Sequence, residues 1–184
     1  MIGSLKLEPA VSRLDLLAAP VAAALEVWPA DAPIDGDQVL VAPIDGDLAD
    51  TAAFCEAYGV TLGQSANCVI VAGRRGDATR YAACVVLATT RADVNGVVRR
   101  RLDVRKASFA PMAEAVELTG MEYGGITPVG LPEGWPVWID ARVAATDRVI
   151  IGSGIRGSKI ELPGAALAQL PGAEVVEHLA RPVG

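Results

Sequence analysis

Asn67-Cys68-Val69-Ile70-Val71-Ala72 and Tyr81-Ala82-Ala83-Cys84-Val85-Val86-Leu87-Ala88, separated by Gly73-Arg74-Arg75-Gly76-Asp77, decide the fold. Both runs are short, rich in Val and Ile and free of a polar alternation, so they read as strands buried on both faces, with the charged glycine segment as their hairpin turn. Such strands need covering elements on either side, and the flanking sequence supplies them.

Upstream, Asp50 or Thr51 caps a helix running through Phe54 and Tyr58, and Gly59 ends it. Ala32-Pro33-Ile34-Asp35-Gly36-Asp37 recurs as Ala42-Pro43-Ile44-Asp45-Gly46-Asp47 around the strand-like Gln38–Val41. The copies lack the spaced carboxylates and terminal Glu of a calcium loop and read as turns. Ser12 and Asp15 resemble a capping box for a helix with Leu14, Leu17, Ala18, Val21 and Leu25 on one face, and Pro20 predicts a kink in it. Glu8, Asp15 and Pro20 argue against reading the apolar Leu16–Leu25 segment as a cleaved leader.

Downstream, Thr90 and Asp93 match a capping box before a helix with Val94, Val97, Val98 and Leu102 on one side. Pro111 and Gly120 bracket another. After a Gly/Pro-rich loop to Pro136, strands resume at Val137–Asp140, Arg148–Ile151, Lys159–Leu162 and Ala173–Val176, with a short helix opened by Pro163. Interspersed strands and helices without a linker predict one α/β domain over 1–184, a mixed sheet with helices around it.

Composition narrows the function. The chain is 52% hydrophobic but only 4% aromatic, which predicts a core of small aliphatic side chains. A formal net charge of -6 argues against non-specific coating of nucleic acid, leaving only local basic patches. The densest is Arg99-Arg100-Arg101 with Arg105 and Lys106, either a solvated helix end or a contact for a phosphate backbone. Cys55, Cys68 and Cys84 fit neither a disulfide framework nor a zinc pattern and suit a reducing cytoplasm. No run is long enough for a membrane span. With His178 the one histidine, a Ser-His-Asp triad or multi-histidine metal site lacks its residues, and no metal or other cofactor is expected.

Two glycine loops offer another chemistry. In Gly124-Gly125-Ile126-Thr127-Pro128 the paired glycines admit close backbone approach, and exposed amides can hold a developing oxyanion, although the same residues also build tight turns. On that reading a Cβ at Gly125 obstructs the ligand and spares the fold. In Gly152-Ser153-Gly154-Ile155-Arg156-Gly157, Ser153 can donate a hydrogen bond and Arg156 can meet a phosphate or ribose, or the loop is a plain connection.

The whole stretch Leu118-Thr119-Gly120-Met121-Glu122-Tyr123-Gly124-Gly125-Ile126-Thr127-Pro128-Val129-Gly130 resembles the signature loop of the YbaK/EbsC family. That family includes free-standing deacylases of mischarged tRNA and the editing insertion of bacterial prolyl-tRNA synthetases. The resemblance continues through Ile139-Asp140 and Gly152–Gly157 to Glu161-Leu162, covering about residues 60–178 and leaving 1–59 as an N-terminal elaboration. It implies a largely antiparallel curved sheet surrounded by helices, and hydrolysis of the ester joining an amino acid to the terminal adenosine of tRNA. The partner is then the 3′ end of an aminoacylated tRNA, with an aminoacyl-tRNA synthetase as a second candidate.

By the same resemblance Gly124, Gly125, Thr127 and Pro128 line the pocket with Ile126, and Ser153, Gly154 and Arg156 face them. If the substrate is tRNA, the basic cluster offers Arg99, Arg100 and Arg105 as the expected contacts to its backbone, against the reading of a solvated helix end. Active relatives carry a Lys where this chain reads Ser65-Ala66-Asn67. Asn67 and Ser65 then orient substrate as neutral hydrogen-bonding groups, with Lys106 and Lys159 as the alternative cations, or the chain is a binding module that has lost hydrolysis.

Overall fold

The computed structural model describes residues 2–28, 32 and 35–183. In chain order its elements are β1 (Glu8–Pro9), α1 (Ala19–Glu26), β2 (Leu40–Pro43), α2 (Thr51–Tyr58), β3 (Ala66–Arg75), β4 (Ala78–Leu87), β5 (Thr90–Ala92) and α3 (Arg99–Leu102). There follow β6 (Ala107–Phe109), α4 (Met112–Thr119), β7 (Val137–Asp140), α5 (Ala141–Ala144), β8 (Val149–Gly152), β9 (Ser158–Leu162), β10 (Ala173–Val176) and β11 (Ala180–Pro182).

β3 and β4 form the expected hairpin, but its turn is only Gly76-Asp77, because Arg75 already pairs with Ala78. Gly76 takes φ 61° at the first turn position, which suits the strand twist. The strands therefore run on through Gly73, whose missing Cβ matters: one built there would lie 2.5 Å from Val104 Cγ2 and 2.8 Å from the Lys106 carbonyl oxygen. The hairpin is the centre of a five-stranded sheet ordered β10-β7-β4-β3-β6, in which only the β4–β7 and β7–β10 pairings are parallel. A second sheet, β1-β2-β9-β8, is antiparallel throughout, and β5 pairs with β11. Ser65 bridges Ile150, so the start of β3 abuts β8 and joins the two larger sheets at one point.

Both faces of the hairpin are buried, as its composition predicts. Ile70, Val85 and Ile139 pack with Val21, Leu25, Ile151 and Ile160 in one cluster, while Val71, Cys84 and Trp138 pack with Val98, Leu102 and Leu179 in another. The one-residue offset between the sets is the period of a strand. Burial pushes the Cys84 thiol up to about 12, so it behaves as a small apolar side chain.

Local expectations fare unevenly. Asp35 and Asp45 each accept a hydrogen bond from the amide two residues on, so both Asp-Gly-Asp copies make the same capped turn; Pro33 and Ile34 of the first copy lie outside the described residues. Asp50 caps α2, and Gly59 ends it at φ 67°. Gly120 ends α4 at the same φ.

The helix expected from Ser12 is instead two single 3-10 turns, an extended Leu17, and then α1 with Pro20 in its first turn. Proline starts this helix rather than kinking it, since a first-turn amide needs no partner. Thr90 is in a strand and its hydroxyl goes to the Leu87 carbonyl, leaving Asp93 alone to cap the π-helical turn Val94–Val98 that leads into α3. No helix among the described residues is long and apolar enough to cross a membrane.

Candidate active site

Where the two sheets abut, a cleft of about 510 Å³ opens between the first half of β3, the ends of β8 and β9, the N-terminus of α2 and the loop at Tyr123–Ile126. Asn67, on β3, and Ser65, just before it, both line the cleft. The Thr51 hydroxyl, at the start of α2, donates to Asn67 Oδ1 at 2.9 Å, which orients the carboxamide and leaves its amino group to act as a donor.

The cation in the cleft is Lys159, on β9. It is 9% exposed, its Nζ donates to the Ala49 carbonyl at 3.2 Å and sits 5.2 Å from the Phe54 ring centre. No carboxylate forms an ion pair with it among the described residues. Burial holds its ammonium below the ordinary lysine value; Arg156 adds to that, while Cys55 and Asp50 oppose it. A buried ammonium without a carboxylate partner keeps most of its field for whatever enters. Lys106 is elsewhere, beside a groove at the far end of β3.

Of the two glycine loops, Gly124 and Ile126 line the cleft with Tyr123 and Gly152. Gly125 lies behind them: its amide donates to Glu122 at 2.9 Å and its carbonyl accepts from the Gly154 amide at 2.7 Å. A Cβ on Gly125 would stand 2.6–2.8 Å from the Ile155 backbone. The missing side chain thus serves loop-to-loop packing, and a Cβ there collides with protein before it meets a ligand. The expectation that substitution at Gly125 spares the fold is corrected accordingly.

Four other expected residues are also turned away from the cleft. Thr127 is fully buried, with no hydrogen-bond partner for its hydroxyl among the described residues. Pro128 lines a separate hollow with Trp28 and Trp135. Ser153 is fully buried and paired with the Ser158 hydroxyl at 2.7 Å. Gly154, at φ 86°, packs against Ala18 and Val21. Ser153 and Gly154 hold the second loop's shape through these contacts, and sequence pattern cannot separate such a residue from a cleft-lining neighbour.

Arg156 is not a solvated arginine. Its guanidinium donates to the Gly46 carbonyl at 2.9 Å and to the Tyr123 carbonyl at 3.3 Å, and its amide donates to Glu122 Oε2 at 3.0 Å. It ties the second Asp-Gly-Asp turn to the loop carrying Gly124. Arg156→Ala should therefore lower thermal stability measurably, by about 1.5–3 kcal/mol for a lost charged hydrogen-bond pair. A melting curve identical to wild type would refute that role.

Arg99 and Arg105 share the distant groove with Arg74 and Lys106, whereas Arg100 is exposed outside it. Thr51, Tyr123, Phe109 and Met112 also line the cleft and carried no sequence signal. Lys159 was one of two candidate replacement cations, but its strand, Ser158-Lys159-Ile160-Glu161-Leu162, carries no pattern that singles it out.

Two sheets that meet at one cleft beside interlocked glycine loops define a mixed α/β domain with one candidate site. The chain belongs to the aminoacyl-tRNA editing domain family, whose model matches residues 45–170. Among solved structures, it is similar to a proposed trans-editing enzyme for prolyl tRNA synthetase (TM-score 0.71, 23% identity, 87% of this chain and 94% of that one). It also resembles the hypothetical protein APE2540 (TM-score 0.65, 24% identity, 78% of this chain and 90% of that one). These likenesses are of fold.

Proposed function

We propose that this protein is an aminoacyl-tRNA deacylase acting in trans, and that Lys159 takes the place of the lysine that relatives carry near Asn67. The observation that carries this reading is the convergence of a buried ammonium, an oriented carboxamide and the Gly124 backbone on one small cleft. In the reaction, water adds to the carbonyl carbon of the ester and the bond from that carbon to the ribose oxygen breaks. The ribose hydroxyl leaves with a proton, and the free amino acid is released.

Lys159 and the Asn67 amino group supply the positive potential that the carbonyl oxygen needs as it becomes an oxyanion. The cleft, at about 510 Å³, has room for an aminoacyl group. Binding without hydrolysis is the second reading, favoured by the neutral Ser65-Ala66-Asn67 segment. Incubating purified protein with a panel of mischarged tRNAs separates the two: release of one amino acid supports the enzyme, and bound but intact aminoacyl-tRNA across the panel supports the binding module.

Asn67 gives a graded test. Asn67→Ala should lower hydrolysis ten- to a hundred-fold, about 1.4–2.7 kcal/mol of transition-state stabilisation. Thr51→Val should lower it in the same direction by less, because it frees the carboxamide without removing it. Undiminished turnover in Asn67→Ala would take this residue out of the reaction.

A further inference from the structure

The chain holds only two Phe and three Tyr, and the two that are exposed, Phe109 at 60% and Tyr123 at 59%, both stand at the mouth of the cleft. Met112, 56% exposed, lies at the same mouth. Large apolar side chains left in water on one rim are a binding surface rather than a core.

Phe109 ends β6, the edge strand of the five-stranded sheet. At the other end of β6, Lys106 and Arg105 join Arg74 and Arg99 in a groove where Asp103 is the one carboxylate. Asp103 is engaged by Arg75 and Arg80, so these four cations have no carboxylate partner among the described residues. Their concentration runs against the chain's net charge of -6. The absent side chain at Gly73 lets the 104–106 segment settle onto β3 and fixes where Arg105 and Lys106 emerge. From Lys106 to Phe109 the strand advances about 10 Å, a reach that neighbouring nucleotides span.

We infer that β6 is the track for a single-stranded RNA end, with the terminal base stacked on Phe109 and Tyr123 and the preceding phosphates on Lys106, Arg105, Arg99 and Arg74. The inference rests on the reading that the cleft receives the aminoacylated end of tRNA, and adds the direction from which that end arrives. Base stacking on an aromatic platform tolerates any base, while the cations supply a salt-dependent pull.

Binding of uncharged tRNA, and of an RNA oligonucleotide ending in cytidine-cytidine-adenosine, followed by fluorescence anisotropy over a salt series tests this without requiring hydrolysis. Phe109→Ala should weaken binding about ten-fold, with Phe109→Trp restoring it. An oligonucleotide lacking its terminal base should bind wild type and Phe109→Ala alike. The double variant Arg105→Gln/Lys106→Gln should flatten the slope of log affinity against log salt by about 1.4, for two phosphates released.

Unchanged affinity in Phe109→Ala, an unchanged slope in the double variant, or no RNA binding by wild type at low salt would overturn the track. RNA binding of this form by a protein that hydrolyses none of the mischarged panel would uphold the track and remove the deacylase reading. Loss of hydrolysis in Lys159→Met with RNA affinity intact would uphold both.

Discussion

Lys159→Met should abolish most ester hydrolysis, by a hundred- to a thousand-fold in kcat, while leaving the protein folded. The size follows from what the removal of one preorganised donor at a developing oxyanion costs. Methionine fills much the same volume as the lysine stem, so packing against Phe54 survives.

Stability and activity should then part company, and pH gives the sign. Burial lowers the Lys159 pKa in the folded protein, so the unfolded chain binds more protons between the folded value and the ordinary lysine value. Wild type should gain stability relative to Lys159→Met as pH rises through that window, because the buried ammonium loses its charge there. Activity should move the other way, since the neutral amine no longer stabilises an oxyanion. The groups that face Lys159 are Cys55 from α2, Asp50 at its cap and Arg156 from the opposite loop. The Cys55 thiol is itself raised, mainly by burial. Paired denaturation and pH–rate measurements on the two proteins check both signs. Full turnover in Lys159→Met, or a kcat/KM that climbs as lysine deprotonates, would remove it from the reaction.

Gly125→Val should unfold the loop pair rather than merely plug the cleft. The added Cβ meets the Ile155 nitrogen, carbonyl carbon and oxygen, all backbone atoms that no rotamer change can move. Either the Gly154-to-Gly125 hydrogen bond breaks or both loops shift, at a cost of about 1–3 kcal/mol or more. Melting temperature should fall together with activity. Gly124→Ala makes the contrast: there the added Cβ meets the tip of a side chain, Arg156 Nη1, which can swing aside at the cost of its 3.3 Å hydrogen bond to the Tyr123 carbonyl, and φ 87° strains a non-glycine residue. It should cost less stability and, because Gly124 lines the cleft, still impair hydrolysis. A Gly125→Val protein with the wild-type melting temperature would refute the packing role.

Residues with strong local rules were legible before any coordinates. The β3–β4 hairpin, the caps at Asp50 and Gly59, the Gly120 stop and the paired Asp-Gly-Asp turns follow from periodicity, burial pattern and backbone preference, which act over a few residues. Where two local signals competed, sequence misjudged. Ser12 and Pro20 offered two helix starts and the proline prevailed, because residues 10–17 extend from two short turns onto the core beneath Ser153 and Ser158.

The candidate site divides the same way. The glycine loop read as either a tight turn or a ligand-lining segment, and only the family resemblance tipped that reading toward a pocket at Gly124, Gly125, Thr127 and Pro128. Which of its residues face the cleft depends on the loop that packs behind it, twenty-odd residues further along the chain. The sequence by itself determined a mixed α/β domain and its family, and named a loop as the candidate site. Only the tertiary structure decided that Thr127 and Ser153 are buried, that Arg156 is a tether, and that the cation comes from β9. Those outcomes turn on contacts between segments far apart in sequence, which no local spacing encodes.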